Sequence, residues 1–274
     1  MVSMASASPP ALRLALAADL AMSLDPVRLS QTVGIDPDPW QARLLRSTSR
    51  RLLLNCSRQS GKSTTTGVLA LHTALYDPGA LVLLLSPGER QSGELFRKCL
   101  AVYRALGKPV PARSIGALHM ELENGSRIVA LPGKEETTRS FSGVALLAID
   151  EAARVPDDLY KSVRPMLAVS GGRLICMSTP FGKRGFFYES WISEEAWERF
   201  EIPAAQCPRI PLSFLAEEKR VLGPWWFEQE YCCTFGETTG QVFSYDDVMA
   251  SVSPDVAPLF APAFMARDGE DYGA

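Results

Sequence analysis

Among the six cysteines of this 274-residue sequence, Cys56, Cys99, Cys176, Cys207, Cys232 and Cys233, no two stand in C-x-x-C spacing, and His72 and His119 are the only histidines. A zinc framework of closely spaced thiols and imidazoles is therefore excluded, and the thiols are expected to be reduced and buried, as in a cytosolic chain. Long apolar runs are missing too. No window approaches the roughly 20 apolar residues that cross a bilayer. The apolar patches from Ala11 to Met22 follow Pro9 and Pro10, are interrupted by Arg13 and Asp19, and have no basic leader in front. They read as a flexible leader with a short amphipathic helix, not as an export signal. Excess positive charge is also absent, with a net charge of −3 at pH 7 and a pI near 5.6. That excludes a histone-like, purely electrostatic nucleic-acid binder and leaves room for a local patch. Internal repeats and low-complexity tracts do not occur.

What is present is an ordinary globular balance, 46% hydrophobic and 22% charged, with ample material for a core. One stretch stands out. Cys56 to Ser63 reads CSRQSGKS, follows the apolar run Arg51 to Asn55 and precedes a helix-like segment. This is the setting of a phosphate-binding loop, in which backbone N–H groups turn inward around an anion and the next helix adds its positive end. Ser57, Arg58, Gln59, Ser60, Gly61, Lys62, Ser63 and Thr64 are the candidate nucleotide contacts. Lys62 is placed to reach the outer phosphates and Ser63 to ligate Mg²⁺. Cys56 stands where the G-x-x-x-x-G-K-[ST] pattern has glycine. Alone, the loop leaves nucleotide binding and a chance Gly-Lys-Ser equally open.

From Leu52 to Ser178 short apolar runs alternate with longer helical stretches, which predicts an α/β fold, a mostly parallel sheet flanked by helices. Strands are expected at Leu52 to Asn55, Leu81 to Ser86, Leu146 to Ile149 and Leu174 to Met177, each apolar throughout as in strands covered on both faces. Leu118 to Leu131 alternates apolar and polar residues around Asn124-Gly125, which predicts an inserted antiparallel hairpin. Helices are expected at Lys62 to Tyr76, Glu89 to Leu106, Asp157 to Val169 and Gly185 to Ser193. A further strand is expected at Arg199 to Pro203, and two short helices within Pro211 to Phe235, broken at Gly223-Pro224. The proline-bearing stretch from Gly236 to Ala274 reads as a linker or ragged tail.

Leu146 to Glu151, LLAIDE, is an apolar strand ending in paired carboxylates. Asp150 fits the Mg²⁺ shell and Glu151 a base that polarises the attacking water; a strand end with an acidic helix start is the bland alternative. Ser178 and Thr179, before Pro180, suit either a group that senses the γ-phosphate or a simple turn. Gln41, beside Trp40, is either a reader of the adenine edge or an exposed helix position. Arg58 is either a guanidinium that neutralises the γ-phosphate or a solvent-facing side chain. Arg139 either serves a neighbouring subunit or merely starts a strand-bearing segment. Arg50-Arg51 and Lys183-Arg184 are more simply solvated charge than DNA contacts.

Taken in order, these pieces resemble the ATPase domain of the large terminase, the DNA-packaging motor of tailed bacteriophages. The resemblance runs from about Asp38 to Phe243. It rests on the Gln41 segment, SRQSGKST at Ser57 to Thr64, LLAIDEA at Leu146 to Ala152, MSTPFGKRGFFYESW at Met177 to Trp191, and FEQEYCCTF and GQVFS between Phe227 and Ser244. The family often replaces the first loop glycine and carries Arg-Gln before Gly-Lys. The resemblance implies a P-loop NTPase fold of the ASCE type over residues 38–243, with 198–243 as a helical or linker part, 1–37 as a leader and 244–274 as a tail.

The same resemblance implies ATP and Mg²⁺ as cofactors, Lys62 and Ser63 as phosphate and Mg²⁺ contacts, and Asp150 as the Mg²⁺-shell carboxylate. Glu151 becomes the catalytic base, Ser178 and Thr179 the coupling motif, Gln41 the adenine reader and Arg58 a cis arginine finger. Thr138-Arg139-Ser140 departs from the family's Arg-Gly. Implied partners are double-stranded DNA, the portal protein, the small terminase subunit and further copies in a ring on the portal, in the cytoplasm of a bacterial host and away from membranes. After Ser244 only 30 residues remain, too few for the family's RNase H-like nuclease, so no DNA cleavage is expected from this chain. A helicase-like ATPase or a nucleotide-binding prophage remnant without turnover are the alternatives.

Overall fold

A computed structural model of the chain describes residues 9–133, 141–237, 245–253 and 256. Two compact units result, Met1–Gly236 and Glu237–Ala274. The first opens with three helices, α1 (Pro9–Leu24), α2 (Pro26–Thr32) and α3 (Pro39–Arg46), before strand β1 (Arg51–Cys56). The apolar content of α1 was expected to mark a short amphipathic helix, yet Leu12, Leu16, Leu20 and Leu24 stay exposed. It is α2 that packs, through Val27 and Leu29. The Asp25 carboxylate caps α2 by accepting from the Val27 N–H at 3.0 Å and pairs with Arg46 of α3 at 2.7 Å.

Beyond β1 the order is α4 (Lys62–Tyr76), β2 (Leu81–Ser86), α5 (Glu89–Ala105), β3 (Ala112–Ile115), β4 (His119–Leu122), β5 (Arg127–Pro132), β6 (Val144–Asp150), α6 (Asp157–Val163), β7 (Arg173–Ser178), α7 (Gly185–Ile192), β8 (Glu198–Ile202) and α8 (Leu212–Cys232). The strands form one eight-stranded sheet in the order β3-β4-β5-β2-β6-β7-β1-β8. Pairing is parallel from β5 to β8 and antiparallel on both sides of β4. The four predicted core strands, the hairpin around Asn124-Gly125 and the strand after Glu198 are all present.

Apolar residues on successive positions of a strand point to opposite faces, so a run such as Leu52-Leu53-Leu54 supplies both layers of the core. Leu52 and Leu54 pack with Leu69 of α4 and Phe96 of α5, while Leu53 joins Leu83, Leu147 and Phe187 on the other face. Each fully buried leucine stabilises the fold by about 1.5–3 kcal/mol. At the hairpin tip Asn124 donates to the Ala74 carbonyl at 2.9 Å, capping α4, and its side-chain oxygen accepts from the Ser126 N–H at 3.0 Å.

Two expectations are corrected, and one strand was not foreseen. The helix from Asp157 stops at Val163 and continues as a 3₁₀ turn, Arg164–Leu167, because Pro165 has no N–H to extend the ladder. Strand β3 gave no apolar signal, since Arg113, Ser114 and Ile115 are exposed on a sheet edge. The second unit, expected as a linker or tail, contains a helix, α9 (Tyr245–Ser251). The segment Thr138-Arg139-Ser140 and the GQVFS motif lie outside the described residues. The predicted break at Gly223-Pro224 stands as a kink inside α8, with Gly223 at φ 76°.

For function the register is decisive. β7 lies between β1 and β6, with Asn55 opposite Ser178 and Asp150 opposite Met177. The carboxyl ends of the three strands therefore line up on one edge, where open α/β sheets place their ligands. Leu53→Ala is expected to cost about 2–5 kcal/mol, read as a lower urea midpoint with an unchanged slope.

Candidate functional site

The loop between β1 and α4 is shaped by two left-handed residues, Gln59 at φ 59° and Gly61 at φ 92°. A Cβ on Gly61 would stand 2.6 Å from Gln41 Nε2, so only glycine fits. Cys56, by contrast, has an ordinary strand backbone and sits wholly inside the core, where burial pushes its thiol up to about 12. A side chain is tolerated there because the turn begins one residue later.

Neighbouring segments hold the loop from outside. The Ser57 N–H donates to the Ile202 carbonyl of β8 at 3.0 Å, and the Arg58 N–H to the Glu230 carbonyl of α8 at 3.1 Å. Gln41 is buried, accepting from the Asp38 N–H at 2.9 Å and donating to the Ser60 carbonyl at 3.2 Å. Arg209 donates to the same carbonyl at 3.0 Å and pairs with Asp38 at 2.8 Å.

Inside the loop the charged groups converge. Lys62, the first residue of α4, is buried with Nζ 3.4 Å from Glu151 Oε1. Burial works against its ammonium, but the Glu151 and Asp150 carboxylates outweigh that cost, and its pKa lies above the ordinary lysine value. Ser63 Oγ donates to Asp150 Oδ2 at 3.2 Å. Asp150 is pushed above the usual carboxylate range by burial, which the Lys62 charge opposes. Glu151 adopts the left-handed region at φ 51°, and its N–H donates to Asp150 Oδ1 at 2.9 Å. Arg154 donates to Glu151 Oε2 at 3.0 Å and to Thr179 Oγ1 at 3.3 Å. Ser178 Oγ is buried with no hydrogen-bond partner. Arg58, Lys62, Lys98 and Arg154 line a cleft of about 480 Å³ together with Gln91, Glu151, Thr179 and the loop. Lys62, the inward-turned loop and the N-terminus of α4 make a seat for a polyphosphate, while Arg154 is engaged with Glu151 and Arg58 with Glu230.

The sequence profile of one family, described as "Terminase large subunit, T4likevirus-type, N-terminal", matches residues 53–249. The chain belongs to this family. Among curated terminase large subunits it is similar to that of Thermus virus P23-45, 26% identical over 181 residues, covering 59% of this chain and 37% of the relative. Similarity to the large subunit of Escherichia phage T5 is 24% over 221 residues, covering 77% and 50%. The chain thus spans half or less of the length of these terminase relatives.

Among solved structures, the large terminase ATPase domain of Thermus phage P74-26 superposes with a TM-score of 0.68 at 20% identity, covering 76% of this chain and 97% of that one. The large terminase of a thermophilic bacteriophage, in complex with ADP, gives 0.59 at 13% identity, covering 73% and 54%. These likenesses establish the P-loop-type terminase fold.

Of the residues singled out in the sequence, Ser57 to Thr64, Asp150, Glu151, Ser178 and Thr179 converge on one edge of the sheet. Gln41 lies behind the loop with both ends of its amide engaged, not at an exposed helix position. Arg58 reaches the cleft but pairs with the buried Glu230 carboxylate, which raises its pKa. Arg139 lies outside the described residues. Sequence reasoning missed Arg154, Lys98, Arg209 and Glu230. Arg154 had a signal, the i,i+3 spacing from Glu151; the others come from segments remote in the chain.

Gly61→Ala is expected to weaken binding of a fluorescent ATP analogue at least ~10-fold and to lower the urea midpoint, because positive φ and the Gln41 contact both oppose a Cβ.

Proposed function

We propose that the chain is a Mg²⁺-dependent ATPase that couples hydrolysis to the movement of double-stranded DNA into a procapsid. The observation that carries this reading is the buried Lys62 ammonium between Asp150 and Glu151 at the start of α4, facing a cation-lined cleft. Complexes of the thermophilic bacteriophage's large terminase with ADP and with ATP-γ-S support nucleotide as the ligand.

In this scheme Lys62 exchanges the Glu151 carboxylate for the outer phosphate oxygens, and the backbone N–H groups of the loop hold the rest of the chain of phosphates. Ser63 Oγ and Asp150 Oδ2 are hard oxygen donors 3.2 Å apart, a set that suits Mg²⁺. No group of three His, Cys, Asp or Glu residues that could hold a metal occurs among the described residues. When bound, Mg²⁺ neutralises charge developing on the transferred phosphoryl group.

Glu151, released from Lys62, orients the attacking water and accepts its proton. Ser178 and Thr179, at the end of the strand between the loop and Asp150, lie where loss of the γ-phosphate is felt. The adenine ring is assigned to the cavity of about 310 Å³ lined by Ile35, Pro37, Gln41, Val68 and Arg209. There Gln41 acts by fixing Ser60 and Asp38. Arg58 enters as a brace between the loop and α8, because leaving Glu230 strips a buried carboxylate of its partner.

Family membership supports the portal protein, the small terminase subunit and further copies of the chain in a ring as partners, and the cytoplasm of a bacterial host as the place of action. Among the described residues no helix is long and apolar enough to cross a membrane.

Phosphate release from Mg²⁺-ATP, with and without double-stranded DNA, is expected to fall at least ~100-fold in Lys62→Ala and in Glu151→Gln, the latter still binding nucleotide. Equal release by the unmodified chain and Lys62→Ala would refute the assignment. Tight nucleotide binding without release, even with DNA and portal protein, would point to a binding subunit.

A further inference from the structure

The two oxygens of the Glu151 carboxylate are held by different cations. Oε1 faces Lys62 at 3.4 Å and Oε2 faces Arg154 at 3.0 Å. These two contacts differ in what a nucleotide does to them. Lys62 stands at the floor of the phosphate loop, so a polyphosphate competes for it directly. Arg154 is fixed independently of the loop. It belongs to the 3₁₀ turn Ala152–Arg154, closed by its own N–H donating to the Glu151 carbonyl at 2.8 Å. The guanidinium carbon lies 4.5 Å from the centroid of the Phe181 ring, and Nη1 also donates to Thr179 Oγ1 at 3.3 Å. A flat group held by stacking on one side and hydrogen bonds at its edge loses little freedom on each further bond.

We propose that Arg154 is the positioning residue for hydrolysis. It keeps Oε2 of Glu151 clamped while Lys62 gives up Oε1 to the nucleotide, so that the freed oxygen alone points at the water. The same guanidinium joins Glu151 to Thr179, the first residue after β7, so the base and the sensing loop move as one unit. Glu151 sits at a left-handed φ of 51°, a conformation that a non-glycine residue keeps only when its surroundings over-determine it. The Arg154 clamp and the Asp150 carboxylate, which accepts the Glu151 N–H, provide that. The inference rests on the ATPase reading of the cleft and deepens it.

The role separates chemistry from binding. Arg154→Ala is expected to lower kcat about 10- to 100-fold while leaving the affinity for Mg²⁺ and a non-hydrolysable ATP analogue within about twofold, since a misaimed base costs rate and not ground-state binding. Arg154→Lys, which keeps the charge but not the planar face on Phe181, is expected to fall between the two. Thr179→Val should lose less than Arg154→Ala, and the double variant no more than Arg154→Ala alone, because both act through one link. A readout independent of turnover is the side-chain ¹⁵N spectrum of arginine. The Arg154 signal, assigned by its loss in Arg154→Lys, should stay protected on adding the analogue and become exchange-broadened in Glu151→Gln.

Unchanged kcat in Arg154→Ala, or a protected signal indifferent to Glu151→Gln, would overturn the clamp while leaving the ATPase standing. Affinity for the analogue falling in step with kcat would make Arg154 a phosphate ligand instead. No hydrolysis by the unmodified chain in the presence of DNA would remove both readings together.

Discussion

A lysine ammonium taken out of water at the start of α4 is the constraint around which this molecule is arranged. An isolated buried charge costs several kcal/mol, and Lys62 is tolerated because Asp150 and Glu151 face it from the end of β6. That meeting requires β1 and β6 to end at the same level, one strand apart. The intervening β7 sets the spacing and brings Ser178 and Thr179 to the same edge. An apolar sheet covered on both faces is thus the support for a small polar cluster with unfavourable solvation. In the proposed ATPase the same desolvation would strengthen its hold on an incoming polyphosphate.

The phosphate loop does not hold its own shape. Gln41 and Arg209 fasten the Ser60 carbonyl from one side, while β8 and α8 receive the N–H groups of Ser57 and Arg58 from the other. The end of α8 is also tied to β1, where Asn55 donates to the Cys233 carbonyl at 2.7 Å. The loop and α8 are therefore joined twice, through the Arg58–Glu230 ion pair and through the Arg58 N–H to the Glu230 carbonyl. Position 56 accepts a cysteine side chain for a local reason. The loop's sharp geometry is concentrated at Gln59 and Gly61, and position 56 remains strand.

Much of this was legible in the chain. Parallel strands buried on both faces leave unbroken apolar runs, and all four core strands were visible as such. Asn124-Gly125 announced its hairpin because few residues accept that turn. Edge strand β3 was silent because an exposed edge selects no apolar residues. The helix near the N-terminus was legible from its apolar patches, but composition does not report what covers them, and Leu12, Leu16, Leu20 and Leu24 stay exposed. Gln41 was visible as a candidate, but its task was not, since an amide can read a base or tie down a carbonyl equally well.

The sequence by itself determined the order of the phosphate loop, the paired carboxylates and the Ser-Thr turn, each at the end of an apolar strand. Those features are local: backbone conformation and apolar patterning are written within a few residues. The tertiary structure alone decided which polar groups remote in the chain meet. Arg58 is turned toward Glu230, 172 residues away in the chain, and Arg154 is turned toward Thr179, 25 residues away. Electrostatic partners are chosen by distance in space and by burial, which strand order sets and no local stretch of chain encodes.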